Sequence, residues 1–417
     1  MSNHNTYPKY KDSQIGWLGG IPEHWEVKKS KYLFDITKRI SGELGHNILS
    51  ITQKGIKIKD TESGGGQLSM NYSKYQIVDK GDFGMNHMDL LTGYVDISKY
   101  EGVISPDYRV FKLKDKESDA RYMLYLFQKG YWDKLFFPLG QGSSELGRWR
   151  LPADEFNLFQ LPVPPKKEQI EISNFLDKKT SEIELLISDK EKTIKLLKEK
   201  AYKLSINGFQ EPKEVSEWED NFPKDWKTLK AKWIFNEIKI KNKPQEELLA
   251  VTQNRGVLPK SMCSENFVSP DEKGLLSQKL VLNESFVISL RSFQGGIEFS
   301  YYQGIVSPAY TVFVIKEEFD NEKLRIFYKY FLKSKPFIEL LNTIISGIRD
   351  GQNISFTDFS TLNIPLPDAK TQEAVFELDK VIKEQEIKAK KEITLLKEYQ
   401  QSLISEAVTG KIDVREK

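Results

Sequence analysis

Residues 168–206 read EQIEISNFLDKKTSEIELLISDKEKTIKLLKEKAYKLSI, and the spacing predicts one long helix. Ile183, Ile187, Ile194, Leu197, Ala201 and Leu204 recur at four-three intervals, with Lys190 filling the missing step. That is a coiled-coil seam. No Gly or Pro interrupts it, and the other faces are Lys and Glu. At 1.5 Å per residue it would run roughly 57 Å, longer than a small domain is wide. A seam needs a partner, and Gln372–Ala407 supplies the same pattern with Ile382, Ala389, Ile393, Leu396 and Leu403. The two segments share a core string, TIKLLKEK at Thr193–Lys200 and EITLLKEY at Glu392–Tyr399. Leu186, Leu196, Leu395 and Ile404 lie off the stripe. Exposed apolar rows mark protein interfaces, so these four are candidates for docking other chains. Cover by the globular parts is the competing reading.

Working outward, the chain is a duplication. IPEHWEVKKSKYLF (Ile21–Phe34) returns as FPKDWKTLKAKWIF (Phe222–Phe235), and Trp25 and Trp226 are 201 residues apart. LSITQKGI (Leu49–Ile56) returns as LAVTQNRGV (Leu249–Val257). EGVISPDYRVFKL (Glu101–Leu113) returns as QGIVSPAYTVFVI (Gln303–Ile315), with Ser105 and Ser307 202 apart. LPVPP (Leu161–Pro165) returns as IPLP (Ile364–Pro367), with Pro162 and Pro365 203 apart. A near-constant offset means two copies of one unit, a globular part followed by a long helix.

Within each globular part, Val103–Leu113 and Ile305–Ile315 are predicted as buried strands from their β-branched and aromatic residues. Tyr75–Phe83 and Lys279–Val287 each read as a strand broken by a polar turn. Asp119–Lys129 and Asn321–Lys333 carry apolar residues at helical spacing. Proline is tolerated at a helix start but not in a strand ladder, so LPVPP marks the exit into the long helix. Gly208 and Gly410 are expected to close the helices. The expected fold class is α+β: two pseudo-two-fold-related domains at 1–165 and 209–368, separated by two long antiparallel coiled-coil helices at 166–208 and 369–417.

Composition narrows the function classes. The 417 residues are 39% hydrophobic and 29% charged, with 62 Lys+Arg against 60 Asp+Glu. Net charge gives no global nucleic-acid footprint, so any such binding rests on local clusters. Lys28, Lys29, Lys31 and Lys38-Arg39 form one after Trp25, and Lys227, Lys230, Lys232, Lys239, Lys241 and Lys243 form another after Trp226. The single Cys263 excludes an intrachain disulfide and fits a cytoplasmic setting. No run is long and apolar enough for a membrane span, and no signal peptide is expected. Four scattered histidines give no metal site. The adjacent prolines Pro164-Pro165 precede Lys166, where an amino-methyltransferase would need an aromatic residue. Thr409-Gly410-Lys411 lacks the earlier glycine of a phosphate-binding loop. A pseudo-two-fold pair of similar surfaces held by helices fits a DNA duplex, whose strands are also related by a dyad. It fits equally a duplicated scaffold that holds two proteins and has no DNA role.

YKDSQIGWLGGIPEHWEV (Tyr10–Val27), the two GIVSP-like strings, the LPVPP…EQ and IPLP…Q junctions and EAVTGKID (Glu406–Asp413) span nearly the whole chain. Together they resemble the specificity subunit of type I restriction–modification systems. One departure is that Gln372 matches Gln169 while the Glu before it, Glu168, has no counterpart. The resemblance implies a non-catalytic subunit that recognises double-stranded DNA through two target recognition domains, each reading half of a bipartite sequence. It implies helices that set the gap and dock two methyltransferase subunits, which carry S-adenosylmethionine and methylate adenine at N6. It further implies restriction subunits using ATP and Mg, and no cofactor on this chain.

Base edges are read by Arg or Lys at guanine and by Asn or Gln at adenine. Loops that differ between the copies supply such residues. The pairs are Gln53 and Lys54 against Gln253, Asn254 and Arg255; Asn86 and His87 against Arg291; and Gln141 and Arg148 against Arg349, Gln352 and Asn353. Because Thr52-Gln53 and Thr252-Gln253 are identical, a structural or phosphate-contacting role competes for the glutamines. Trp25 and Trp226 read as core.

Overall fold

The computed structural model describes residues 5–59, 72–142, 149–206, 222–253, 255–263, 270–344 and 354–415. The chain divides into two compact units, residues 1–188 with 392–417, and residues 189–391. Each is described by itself.

In unit one an antiparallel sheet runs in the order Phe34–Thr37, Arg109–Leu113, Phe83–Met85, Val95–Ile97. Its inward face is aromatic because Phe34, Phe83 and Phe111 alternate with outward residues at the two-residue strand period. The helix Ala120–Trp132 lies over it, started by Asp119, whose carboxylate accepts from the N–H groups of Arg121 and Tyr122. Phe127 from that helix and Phe156 complete the cluster, with Phe111 and Phe156 centroids 4.9 Å apart and Phe34 and Phe127 5.2 Å apart. Truncating any of these rings would cost about 3–5 kcal/mol. Unit two repeats the plan with the order Phe235–Ile238, Thr311–Ile315, Phe286–Ile288, Glu298–Phe299. Phe235, Phe286, Phe313, Tyr328 and Phe359 fill the same core.

The predicted strands Val103–Leu113 and Ile305–Ile315 are each two strands. Gly102–Ile104 and Arg109–Leu113 are separated by a turn at Ser105-Pro106, and Gly304–Val306 and Thr311–Ile315 by one at Ser307-Pro308. Proline has no N–H for the ladder. The serine hydroxyls accept from Asp107 N and from Ala309 N, both at 3.3 Å, and fix the turn. The glycine beginning each string allows close approach: a Cβ on Gly102 would lie 2.3 Å from the Asn47 carbonyl, and one on Gly304 2.3 Å from that of Glu247. The polar turns in Tyr75–Phe83 and Lys279–Val287 fall where expected, between Gln76–Val78 and Phe83–Met85 and between Lys279–Val281 and Phe286–Ile288.

The long helices are Lys166–Ser205 and Ala369–Val408, 40 residues each. In unit one the first leaves the core through Ile172 and Leu176, and the second enters it through Leu403, Ile404, Ala407 and Val408. In unit two the second leaves through Val375, Phe376 and Ile382 and the first enters through Ala201. Within each unit the helices thus run in the antiparallel sense. Gly410 ends the second at φ +70°. Gly208 lies outside the described residues.

The junctions explain the matched glutamine and the unmatched glutamate. Gln169 Nε2 donates to the Pro164 carbonyl at 2.8 Å, and Gln372 Nε2 to that of Pro367 at 2.9 Å. Trp25 Nε1 donates to Glu168 at 2.9 Å, whereas Trp226 Nε1 donates to Asp368 at 3.0 Å. The acid that receives the repeated tryptophan has therefore moved a turn earlier in the second copy. There it also caps the helix by accepting from Thr371 N at 2.8 Å.

Candidate nucleic-acid interface

In unit one the hairpin Leu49–Thr52/Gly55–Ile58 turns at Gln53-Lys54. The Thr52 hydroxyl donates to the Gly55 carbonyl at 2.9 Å and accepts from Lys54 N at 3.1 Å. Gln53 reaches away from the turn and donates through Nε2 to the Thr92 carbonyl. Asp96 accepts from Ile56 N at 2.9 Å. The first bond ties the hairpin tip to the loop that carries Asn86 and His87, and the second ties the hairpin to the strand Val95–Ile97 that follows this loop. Loop residue Asn86 is held in turn by the Tyr131 hydroxyl, which donates to its carbonyl at 2.7 Å. The Gln141 backbone exchanges both hydrogen bonds with Arg150, at 2.8 and 3.0 Å, and the next residue, Leu151, donates its N–H to the His87 carbonyl at 2.9 Å. Gln53, Lys54, Asn86, His87 and Gln141 therefore belong to one end of unit one.

Unit two builds the same head. The Thr252 hydroxyl donates to the Gly256 carbonyl at 2.9 Å and accepts from Arg255 N at 3.2 Å. Gln253 Nε2 donates to the Arg291 carbonyl at 3.3 Å. Arg255 and Arg291 are exposed, with Arg255 also donating to the Met262 carbonyl at 3.0 Å. Arg148, Asn254, Arg349, Gln352 and Asn353 lie outside the described residues.

The shared Thr-Gln is thus a fastening device: the threonine closes the turn and the glutamine amide tethers the neighbouring loop. What differs between copies is presented outward, Lys54 in one head and Arg255 with Arg291 in the other. His87, a base-readout candidate, is present there as a neutral side chain. Burial, with Arg109 and Arg150 nearby, pulls its imidazole down to about 3, so it is neutral at ordinary pH. Its Nδ1 is buried without a hydrogen-bond partner among the described residues.

The basic clusters separate on inspection. Arg39 bonds Asp79 and Asp82, both at 2.6 Å, and is committed inside the domain. Lys28 lies 3.3 Å from Glu26, and Lys239 lies 3.0 Å from Glu237. Lys227, Lys230 and Lys232 are exposed. Sequence reasoning missed the aromatic residues within these clusters. Tyr32 and Trp233 are 62% and 58% exposed, with Lys31 over one ring at 5.1 Å and Lys232 and Lys316 over the other at 5.6 and 5.8 Å. The signal was available, because KYLF and KWIF place an aromatic at the same step of both copies. Val27, Lys28, Lys29, Tyr32, Asp115 and Gln160 line an open recess of about 470 Å³.

On the long helices Leu186, Leu196 and Leu395 are at least half exposed. Leu196 and Leu395 hold the same place in the shared string, each 54% exposed. Ile404 is a correction: at 1% exposure it is packed in the unit-one core and cannot dock another chain. The globular part covers the end of that helix, as the competing reading had it. Among the described residues no cluster of His, Cys, Asp or Glu could hold a metal, and no helix is long and apolar enough to cross a membrane.

Residues 22–196 match the family model described as type I restriction modification DNA specificity domain. Over 427 aligned residues the chain is 24% identical to the "Putative type I restriction enzyme MjaX specificity subunit" of Methanocaldococcus jannaschii, covering 95% of this chain and 96% of the relative. The fold is similar to that of a chain solved in a study of complex assembly and conformational transition of the type I R-M system. The TM-score is 0.56 at 11% identity, with 93% of this chain and 98% of that chain covered.

Proposed function

We propose, from the match of residues 22–196 to the type I restriction modification DNA specificity domain and the likeness of the whole chain to a specificity subunit, that each unit reads one half of a bipartite double-stranded DNA target. In this reading the target recognition domains comprise residues 1–165 and 209–368, and the helices at 166–208 and 369–417 space them. Lys54, Asn86 and Gln141 face one half-site. Arg255 and Arg291 face the other, together with Asn254, Arg349, Gln352 and Asn353. Gln53 and Gln253 hold the loops, and Arg148 extends the first set.

One observation carries the reading: the same Thr-Gln fastening recurs in both heads while the outward residues differ. A common frame with variable tips is what two independent sequence readers require. Two methyltransferase subunits dock on the helices, Leu186, Leu196 and Leu395 among their contacts. They bring S-adenosylmethionine and methylate adenine at N6, and restriction subunits bring ATP and Mg. This chain selects the site in the cytoplasm and needs no cofactor of its own.

The experiment is long-read mapping of methylated adenines in the host with and without the gene. The reading expects a bipartite motif that is modified only when the gene is present. An unchanged methylome, with no duplex shifted by the reconstituted complex, would overturn it.

A further inference from the structure

Four pieces of chain meet behind the turn of unit two: the hairpin at Thr252–Gly256, the segment Ser289–Gly296 with its short helix Ser292–Gly295, the strand Glu298–Phe299 and the end of the helix Glu322–Phe331. Lys333, just past that helix, is at their centre. Its ammonium donates to the Gln253 carbonyl at 2.9 Å and to the Glu298 carboxylate. Glu298 is buried at 2% exposure, opposite Val287 in the sheet. Gln253 continues the chain of contacts through its amide to the Arg291 carbonyl. Gly296 permits the arrangement, because a Cβ there would lie 2.5 Å from the Leu332 carbonyl. Lys333 is thus a cation turned inward, away from any phosphate.

Among the described residues unit one shows no lysine–carboxylate pair at the matching place. Asp96, opposite Gly84 in the equivalent ladder, accepts instead from the backbone N–H groups of Ile56 and Ile97. The loop is held by the neutral Tyr131 hydroxyl.

We infer that Lys333 and Glu298 are positioning residues for recognition of one half-site only: a lysine–glutamate brace that sets Gln253, and through it Arg291 and Arg255, while the other head is braced by bonds of Gln53, Asp96, Arg109 and Tyr131 with backbone groups. The inference rests on the proposed reading of these turns as DNA-contacting. A buried ion pair is well suited to the task because breaking it leaves an uncompensated charge, so the turn has one favoured position. Burial raises the Glu298 carboxyl to about 7, with Lys333 acting against the rise.

The test uses the full complex with its methyltransferase subunits and a panel of duplexes, each carrying one base-pair change in one half-site. Methylation rates are compared for wild type, Lys333→Met, Glu298→Gln and Lys333→Arg. Lys333→Met and Glu298→Gln should lower discrimination against changes in the second half-site about tenfold, the size of one base-pair preference. First-half discrimination should stay at the wild-type value, and Lys333→Arg, which can span both acceptors, should restore the second. Equal loss at both half-sites, no loss in either variant, or failure of arginine to rescue would overturn the inference. Circular dichroism melting separates unfolding from repositioning. If a variant melts below assay temperature, Lys333→Gln, which keeps a donor, takes its place and must show the same one-sided loss. Failure of the underlying reading shows separately, as a wild-type complex indifferent to base changes throughout the half-site assigned to residues 209–368.

Discussion

At the scale of single residues, the two heads use different chemistry and respond to pH with opposite sign. His87 is held neutral, its value pulled down to about 3 from the ordinary histidine range. Between about 3 and 6.5 the unfolded chain binds a proton that the folded one refuses, so stability is lost as pH falls through this window. The shift corresponds to roughly 3–5 kcal/mol. Glu298 is raised to about 7. Between the ordinary glutamate value and about 7 the folded chain holds the extra proton, so this group's contribution declines as pH rises, by roughly 2–3 kcal/mol. Melting temperature against pH for His87→Gln and Glu298→Gln checks both: each should flatten its own limb of the profile. A slope unchanged in either would contradict the assignment. Arg291→Ala should relax preference at its base pair by about 1–3 kcal/mol, read from methylation of single-substitution duplexes. Uniform weakening across all sequences would instead make Arg291 a phosphate contact.

Among elements, the junctions between sheet and long helix are the most informative. Glu168 accepts from Trp25 Nε1 at 2.9 Å, from the Tyr7 hydroxyl at 2.6 Å and faces His24 Nε2 at 2.7 Å. Glu168→Ala would strand these donors, and unit one should lose about 3 kcal/mol or more in chemical denaturation. Asp368→Ala should cost less, about 1–2 kcal/mol, because it removes one indole partner and one cap. The repeat was legible because such strings do a mechanical job twice: Trp25 and Trp226 anchor, Gln169 and Gln372 clasp a proline carbonyl, and Ser-Pro turns the chain. Two elements were misread for identifiable reasons. The Ser105-Pro106 break is invisible to a count of β-branched residues, since the residues on both sides still pack inward. Ile404 lies off the seam and looks free on a helical projection, which knows nothing of the globular core that covers it. The candidate heads were legible only in part. Loop composition singled out Lys54, Arg255 and Arg291, which are exposed, but Lys333 stands 80 residues from the Gln253 carbonyl it supports, and no local pattern links them.

On the scale of the whole molecule, the proposal is that target identity and target gap are set by different parts of the chain, the globular parts and the long helices. Adding one heptad at matching places in both long helices preserves the seam and adds about 10 Å of rise, close to three base pairs of duplex. The methylated motif should keep both half-sites and lengthen its gap. A gap of unchanged length would remove the helices from that role. Neutralising the exposed pair with Leu196→Asn and Leu395→Asn should lower methyltransferase stoichiometry, measured by native mass spectrometry, without altering the preferred sequence.

The most direct measurement replaces residues 1–165 with the first domain of another family member and maps methylated adenines across the genome. One half of the motif should change, with the other half and the gap between them retained. A motif altered in both halves, or in neither, would contradict the claim that the two units read independently.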